Sequence, residues 1–496
     1  MNKINHQLSD FLLIALLALL IFYSIFLQFF TPTLYGADGY YHIAASRFLK
    51  DYGPQNSFRW AQLSTFRDFF SDKDFLFHLL SIPALYLSKN IIIAAKYAVI
   101  FYNLIFLLAY MFVLRKYLSS FLAACFMILP FFSSTFTIYF LYLRPATLAN
   151  ILTILGIYFL IQKKWLPLFV ISILYPLSHI SFFTLIFLAL LCETIRYLIN
   201  KEFFSRNLSV VIIGCILGCL IHPNNPNNWL SLYLNGIVVP FYSIMEKGIQ
   251  LGAEFTTPNL KNVFLSNIAV FFTLFVTIWI TFLTKPNLTL PTFVWWGCSN
   301  IYLILACLGN RYWYTANILF FIFFASYLND YFREKTINHK VRQIRIFLFA
   351  YFLISIASLK LFLFQFGIIV TRSGTINAHY EKVAAWMNKN IPAGETIYHA
   401  YWSDSPYFIC LNPKNNYLVV LDPIYMFYPY PREYVVYRSL NEGKIAKPYY
   451  ALKKIFQTMY GYTAKTVPLY KQIDKDKEHF DVVYEDTHGV IFHVIK

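Results

Sequence analysis

The chain has 496 residues, of which 58% are hydrophobic, 20% aromatic and only 13% charged, against about 25% charged in a soluble globular chain. That composition excludes a soluble globular protein. The net charge of +17 does not mark a nucleic-acid binder either, because the excess sits in short loops between apolar runs, as the positive-inside rule produces.

The first run, FLLIALLALLIFYSIFLQFF from Phe11 to Phe30, matches the span of a bilayer core. No small-residue cleavage site follows, so it reads as a retained membrane helix and not as a cleaved signal. YGADGYYH, residues 35–42, comes next and sets Asp38, Tyr40, Tyr41 and His42 at the exit from that helix. Tyr40 and Tyr41 read as an interfacial anchor. The apolar stretch 75–88 is short for a span and suits an interfacial helix. Further runs at 91–114, 118–140, 146–162, 165–179, 181–195, 208–222, 263–284, 289–308, 313–329 and 346–368 bring the expected spans to about eleven. The cysteines are scattered, with no C-x-x-C; Cys192, Cys215, Cys219, Cys298 and Cys307 read as small buried hydrophobes.

With the N-terminus inside, Arg115–Lys116, Lys163–Lys164, Arg196, Lys201, Arg206, Lys285 and the cluster Arg333, Lys335, Lys340, Arg342, Arg345 all fall on the cytoplasmic side. The opposite face then carries the loop 31–90, the loop 222–262 and everything after about residue 370. That tail has ordinary charge density and turn signals such as IPAGE and DTHG. EKVAAWMNKN reads as a helix, YLVVLD as a strand and FDVVYEDTHGVIFHVI as a β-hairpin. The expected fold class is a polytopic α-helical membrane protein, residues 1–369, followed by a small extracytoplasmic α/β domain, residues 370–496.

Five acids lie in the first outside loop: Asp38, Asp51, Asp68, Asp72 and Asp74. Asp72-Lys73-Asp74 is a D-x-D. Mg²⁺ or Mn²⁺ takes carboxylate oxygens, commonly one or two together with substrate phosphates, so Asp38, Asp72 and Asp74 are candidate ligands of one divalent cation. A solvated acidic loop is the plainer alternative. Asp38 is harder to dismiss, because ionisable groups held near the bilayer tend to be functional. On the same expected face lie Arg144 and Arg311, whose planar forks match phosphate oxygens, with snorkelling beside tyrosines as the competing reading. His42, His179 and His222 are further candidates for the site, His179 reading first as a satisfied core histidine.

GADGYYHIAASRF, residues 36–48, resembles the acidic motif that follows the first span in the GT-C superfamily of membrane glycosyltransferases. AAWMNKNIPAGETIYHAYWSDSPYF, residues 384–408, is similar in course to the start of the outer domain of the oligosaccharyltransferase catalytic subunit, with Trp402-Ser403-Asp404 where that family has W-W-D. Ser403 and Ser405-Pro406 depart from that pattern, which leaves a protein acceptor unsupported. The second acidic motif departs too, since Asp72-Lys73-Asp74 lies in the first loop and not in a later one.

The resemblance implies transfer of a sugar or glycan from a polyprenyl-phosphate or polyprenyl-pyrophosphate donor at the outer face of a membrane, expected to be a bacterial inner membrane. Asp38 would be the catalytic base or the carboxylate that orients the acceptor. Arg311, and after it Arg144, would contact the donor phosphate. Trp402 and Asp404 would lie on the acceptor side. A divalent cation is the one cofactor implied; some GT-C branches need none. The partners are the polyprenyl-linked donor, membrane lipid and an acceptor glycan, lipid or protein. A transporter or flippase, a polymerase or ligase of lipid-linked glycans, and a non-catalytic member of the fold are the alternatives. Internal repeats and mid-span acids would favour transport, and neither is evident; Glu193 is the nearest such acid.

Overall fold

Apolar helices make up most of the computed structural model, which describes residues 2–245, 259–333 and 377–495 with positions 249, 252, 367, 370 and 371. All but Gly367 of the expected span 346–368 lies outside the described residues, as do Lys335, Lys340, Arg342 and Arg345. Among the described residues four helices are long and apolar enough to cross a membrane: Gln7–Phe29, Ile91–Leu114, Ile180–Asn200 and Leu290–Leu308. Two bent pairs raise that to six, and Phe75–Leu87, Ala146–Ile161, Trp165–Ser178 and Ser205–Leu220 are shorter apolar helices. The chain is an integral membrane protein with a small C-terminal sheet. It folds as two units, one made of 1–30, 98–221 and 253–369, the other of 31–97, 222–252 and 370–496.

In the first unit the runs at 118–140 and 263–284 are broken, not straight. Ser120–Phe132 meets Ser134–Leu141 at 88°, and Leu260–Ser266 meets Ile268–Thr284 at 81°. The first break follows Pro130, which has no amide hydrogen to give, and Ser133 restarts the helix by accepting the Phe136 amide on Oγ. Asn267 sits at the second. Its Oδ1 accepts Ser133 Oγ–H at 2.7 Å and Asn317 Nδ2–H at 2.9 Å, while its own Nδ2 donates to the Val263 carbonyl at 3.0 Å. One buried amide thus ties both bends to the helix Trp313–Arg333.

Helices 165–178 and 205–220 approach closely because Gly214 and Gly218 lack side chains. A Cβ on Gly214 would fall 2.5 Å from Ser172 Cβ, and one on Gly218 would fall 2.5 Å from the Ile173 carbonyl oxygen, the small-xxx-small packing of membrane helices. Phe11, Ile14, Leu19 and Phe22 of the first helix are exposed, as lipid-facing side chains are. The charges in this unit are held by partners. Glu193 and Arg196 are an ion pair with both side chains fully buried, and Glu193 also accepts from Asn207 Nδ2 at 3.1 Å and the Phe204 amide at 3.0 Å. Asp330 accepts from Thr289 and Thr292 at the start of the helix Leu290–Leu308. Cys192, Cys215, Cys219 and Cys298 are buried as expected; Cys307 is exposed.

The second unit is built on a five-stranded sheet in the tail: β1 (Thr396–His399), β2 (Asn416–Tyr417), β3 (Tyr460–Ala464), β4 (Phe480–Glu485) and β5 (Gly489–Val494), in the order β2-β1-β3-β5-β4. β1 runs parallel to β2 and β3, and β5 is antiparallel to β3 and β4. The helix read in EKVAAWMNKN occupies 377–390, and the hairpin is β4–β5. The strand expected at YLVVLD stops after Tyr417. The amides of Leu418 and Val419 turn to His399 Nε2 at 3.3 and 3.4 Å, and Leu421 takes a positive φ of 66°. His399 Nδ1–H donates to the Tyr401 carbonyl at 2.7 Å, so a buried imidazole stands where a neighbouring strand would. Segment 60–63 borders β2 from the other side: Ala61 bridges Tyr417, and the Gln62 and Leu63 amides donate to the Tyr417 and Leu418 carbonyls.

Candidate active site

The stretch that follows the first helix belongs to the second unit. Gly36, at φ 74°, turns the chain into the helix Asp38–Tyr52, with Asp38 in its first turn, where a carboxylate faces the positive end of the helix dipole. Tyr40 and Tyr41 are 0% and 2% exposed. They are core residues and not an interfacial anchor: Tyr40 packs on Tyr407 at 4.7 Å between ring centroids, and Tyr41 on the rings of His42 and His78 at 5.5 and 6.1 Å.

Asp72, Asp74, His42 and His222 come together here. Both oxygens of Asp72 lie against His78 Nδ1, at 2.7 and 2.8 Å, and His78 Nε2 is 2.9 Å from His42 Nδ1. The backbone of Asp72 is clamped on both sides. Its amide donates to Asn224 Oδ1 at 2.9 Å, and its carbonyl accepts from His222 Nε2 at 3.1 Å. The Asn224 amide donates to His222 Nδ1 at 3.1 Å, which fixes the hydrogen of a neutral ring on Nε2. Burial lowers the His222 pKa against the pull of Asp72. His222 therefore holds Asp72 in place. Asp74 is buried, its Oδ1 has no hydrogen-bond partner, and burial pushes its carboxyl up to about 6, opposed by Lys73 and His78 and reinforced by Asp72 and Asp38. Burial alone lowers His78, but the charge and hydrogen bond of Asp72 outweigh it and leave the ring above its ordinary value.

Of the expected cation ligands, Asp72 and Asp74 lie in this cluster, and Asp38 opens the helix that carries His42. Among the described residues no group of three His, Cys, Asp or Glu side chains converges to hold a metal ion, and the Asp72 carboxylate is turned to an imidazole. A small cleft lined by Phe48, Phe58, Trp60, Phe70, Asp72 and Asn224 opens beside this cluster.

Arg144, Arg311 and His179 belong to the first unit. Arg144 lies over Tyr139 and Tyr142 at 5.5 and 5.1 Å, and Arg311 over Tyr312 at 5.1 Å. His179 Nδ1 accepts the Ser181 amide at 3.1 Å and its hydroxyl at 2.7 Å, capping a short 3-10 turn. In the tail, Trp402–Asp404 is itself a 3-10 turn closed by its acid. Asp404 is 1% exposed; its Oδ2 accepts the Tyr401 amide at 3.1 Å and its Oδ1 the Tyr380 hydroxyl at 2.5 Å. That acid closes a turn, and Trp402 packs partly buried against the tail core.

Two residues of this unit escaped sequence reasoning. His78 gave a signal only in hindsight, six positions after Asp72 in an apolar helix. Lys96 was more legible, a lone cation in IIIAAKYAVI. It is 3% exposed, and its Nζ donates to the Thr31 carbonyl on the connector that leads to Asp38; burial raises the Glu381 carboxyl, and Lys96 offsets part of that rise.

No protein-family model matches the sequence, and no curated protein matches it. Solved structures do. ArnT from Cupriavidus metallidurans bound to undecaprenyl phosphate superposes with a TM-score of 0.61 at 11% identity, over 97% of each chain. The Archaeoglobus fulgidus oligosaccharyltransferase AglB, in complex with an inhibitory peptide and a dolichol-phosphate, gives 0.63 at 10% identity over 91% of this chain and 69% of that one. An Archaeoglobus fulgidus oligosaccharyltransferase in complex with Zn and sulfate gives 0.60 at 10% identity over 90% of this chain and 68% of that one. The chain has the GT-C fold of these membrane glycosyltransferases.

Proposed function

We propose that this protein transfers a sugar or glycan from a polyprenyl-phosphate or polyprenyl-pyrophosphate carrier to an acceptor at the outer face of a bacterial inner membrane. The observation that carries the reading is a fold shared over 97% of the chain with a protein bound to undecaprenyl phosphate, with Asp38 opening the first helix after the N-terminal apolar helix. In this reading about eleven spans place the loop 31–90 and the tail outside. The acceptor oxygen attacks the anomeric carbon, the bond to the carrier phosphate breaks, and Asp38 takes or orients the acceptor proton. Negative charge grows on the leaving phosphate, and a cation fixed in place stabilises it. Arg311 and Arg144 are the residues proposed for that contact, and Trp402 lies on the acceptor side.

The test is release of polyprenyl phosphate by the purified full-length protein from a panel of polyprenyl-phosphate-linked hexoses. Asp38→Asn should abolish it while leaving a monodisperse, folded protein. Full activity in that variant would sink the site assignment, and no release from any donor by the wild type would count against the reading itself.

A further inference from the structure

The sequence has no Asp, Glu, Lys or Arg from residue 207 to residue 245. The later part of that stretch, from His222 on, belongs to the second unit. There the chain forms one continuous helical segment: Asn227–Tyr233, a π turn at Leu234–Val238, and Val239–Met245. Its inner side packs on its own unit. Asn228, Ser231, Leu234 and Val239 are buried. Asn235 Nδ2 donates to the Tyr425 hydroxyl at 2.8 Å, and Tyr242 meets the Phe427 ring at 5.5 Å. The outer side carries Trp229, Tyr233, Ile237 and Phe241, which are 45, 46, 62 and 53% exposed. They recur at every fourth position. In a plain α-helix of about 3.6 residues per turn that spacing drifts by about 40° a step, or about 120° from Trp229 to Phe241. The π turn removes the drift. The Val239 amide reaches back to the Leu234 carbonyl, which takes up one extra residue and sets the stripe back by about 100°. Pro240 has no amide hydrogen for the Gly236 carbonyl, so the regular ladder breaks here in any case. The four side chains thus share one face.

A helix face that meets water carries polar and charged residues; this one carries two aromatic rings with polar tips, an isoleucine and a phenylalanine. Trp and Tyr are the residues of the membrane–water boundary, where the ring is buried and the tip stays wet. The stripe also continues an apolar surface along the chain. The helix Ser205–Leu220 exposes Ile213, Ile216 and Leu220, and only residues 221–226 separate it from Asn227. We propose that the segment 227–245 lies along the boundary between the headgroups and acyl chains of the membrane, with Trp229, Tyr233, Ile237 and Phe241 set into the lipid. The residues that lead into it are those that clamp the acidic loop. His222 and Asn224 hold the Asp72 backbone, and Asn227 Nδ2 donates to the Phe70 carbonyl at 3.1 Å. A helix anchored in lipid therefore fixes that loop at the depth of the headgroups.

Two measurements on the full-length protein in lipid nanodiscs test this. Neither needs turnover, so both are independent of the transferase reading. In the first, the emission lost on Trp229→Phe is followed in discs of phosphatidylcholine and of the same lipid brominated on its upper acyl chain. Bromine should remove about half of that emission, as for a face buried about 5–10 Å into the headgroup–acyl boundary, while aqueous iodide removes little. In the second, Ile237→Cys carries a nitroxide in a background of Cys125→Ser and Cys307→Ser; the other five cysteines are buried. The label should respond to oxygen more than to a water-soluble nickel chelate. A response to iodide and nickel without one to bromine and oxygen puts the stripe in water and overturns the proposal. Protection from all four puts it under protein, whether another part of this chain or a second copy, and overturns it equally. The two positions report separately, so a variant that fails to fold leaves the other to decide.

Discussion

Tyr380 gives its phenolic hydrogen to Asp404 Oδ1 across 2.5 Å. Burial pushes the Asp404 carboxyl up to about 7 from 3.8, overriding the downward pulls of Tyr380 and the Tyr401 amide. A folded pKa above the unfolded one means that, between those values, the folded tail keeps a proton which the unfolded chain has released. The contribution of this group to stability is therefore present at the acid end of that window and is lost as pH rises through about 7. Asp404→Asn removes the dependence. Its melting temperature should gain on the wild type between about pH 5 and about pH 8; a difference that stays constant with pH would refute the assignment.

Asn267 should be a stability hot spot of the membrane helices. Asn267→Ala leaves Ser133 and Asn317 without the oxygen they share, at a cost of about 1–3 kcal/mol for each buried group left unsatisfied. Thermal unfolding in detergent should drop several degrees. A paired Ser133→Ala substitution should then cost only the helix cap that Ser133 gives the Phe136 amide, because its contact with Asn267 is already gone. Additive losses would mean that the two bends are not joined through this amide.

Arg196→Met should be worse than its loss of charge suggests. It strands Glu193 in a site that is 0% exposed, and breaking a buried pair from one side costs about 3–5 kcal/mol. Arg196→Met combined with Glu193→Leu should recover much of the folded yield. Failure of the double variant to exceed the single one would show that packing, not the unpaired carboxylate, sets the loss.

Composition and run length made the membrane class legible, and periodicity found the 377–390 helix and the β4–β5 hairpin, because those signals are local. What the sequence did not show depends on partners remote in the chain. The bend at Asn267 is held by Ser133 and Asn317, and neither announces itself in an apolar run. YLVVLD has strand composition throughout, yet its amides end on the ring of His399. Asp38 and Asp72-Lys73-Asp74 were visible as acids, but only the fold reveals that Asp72 is turned to His78. Lys96 carried a usable signal, a charge inside a span.

The pairing of segment 60–63 with β2 has a consequence for biosynthesis. Trp60 Nε1 bonds the Pro413 carbonyl, 353 positions later, and its own carbonyl receives the Tyr417 amide. A ribosome delivers the loop that bears Asp38 long before it delivers that edge. Until the last quarter of the chain emerges, the loop waits with backbone groups unpaired, and closure of so distant a pairing is slow. A chain cut short before Tyr417 would lose more than its tail, since the segment beside Asp38 would have nothing to finish folding against.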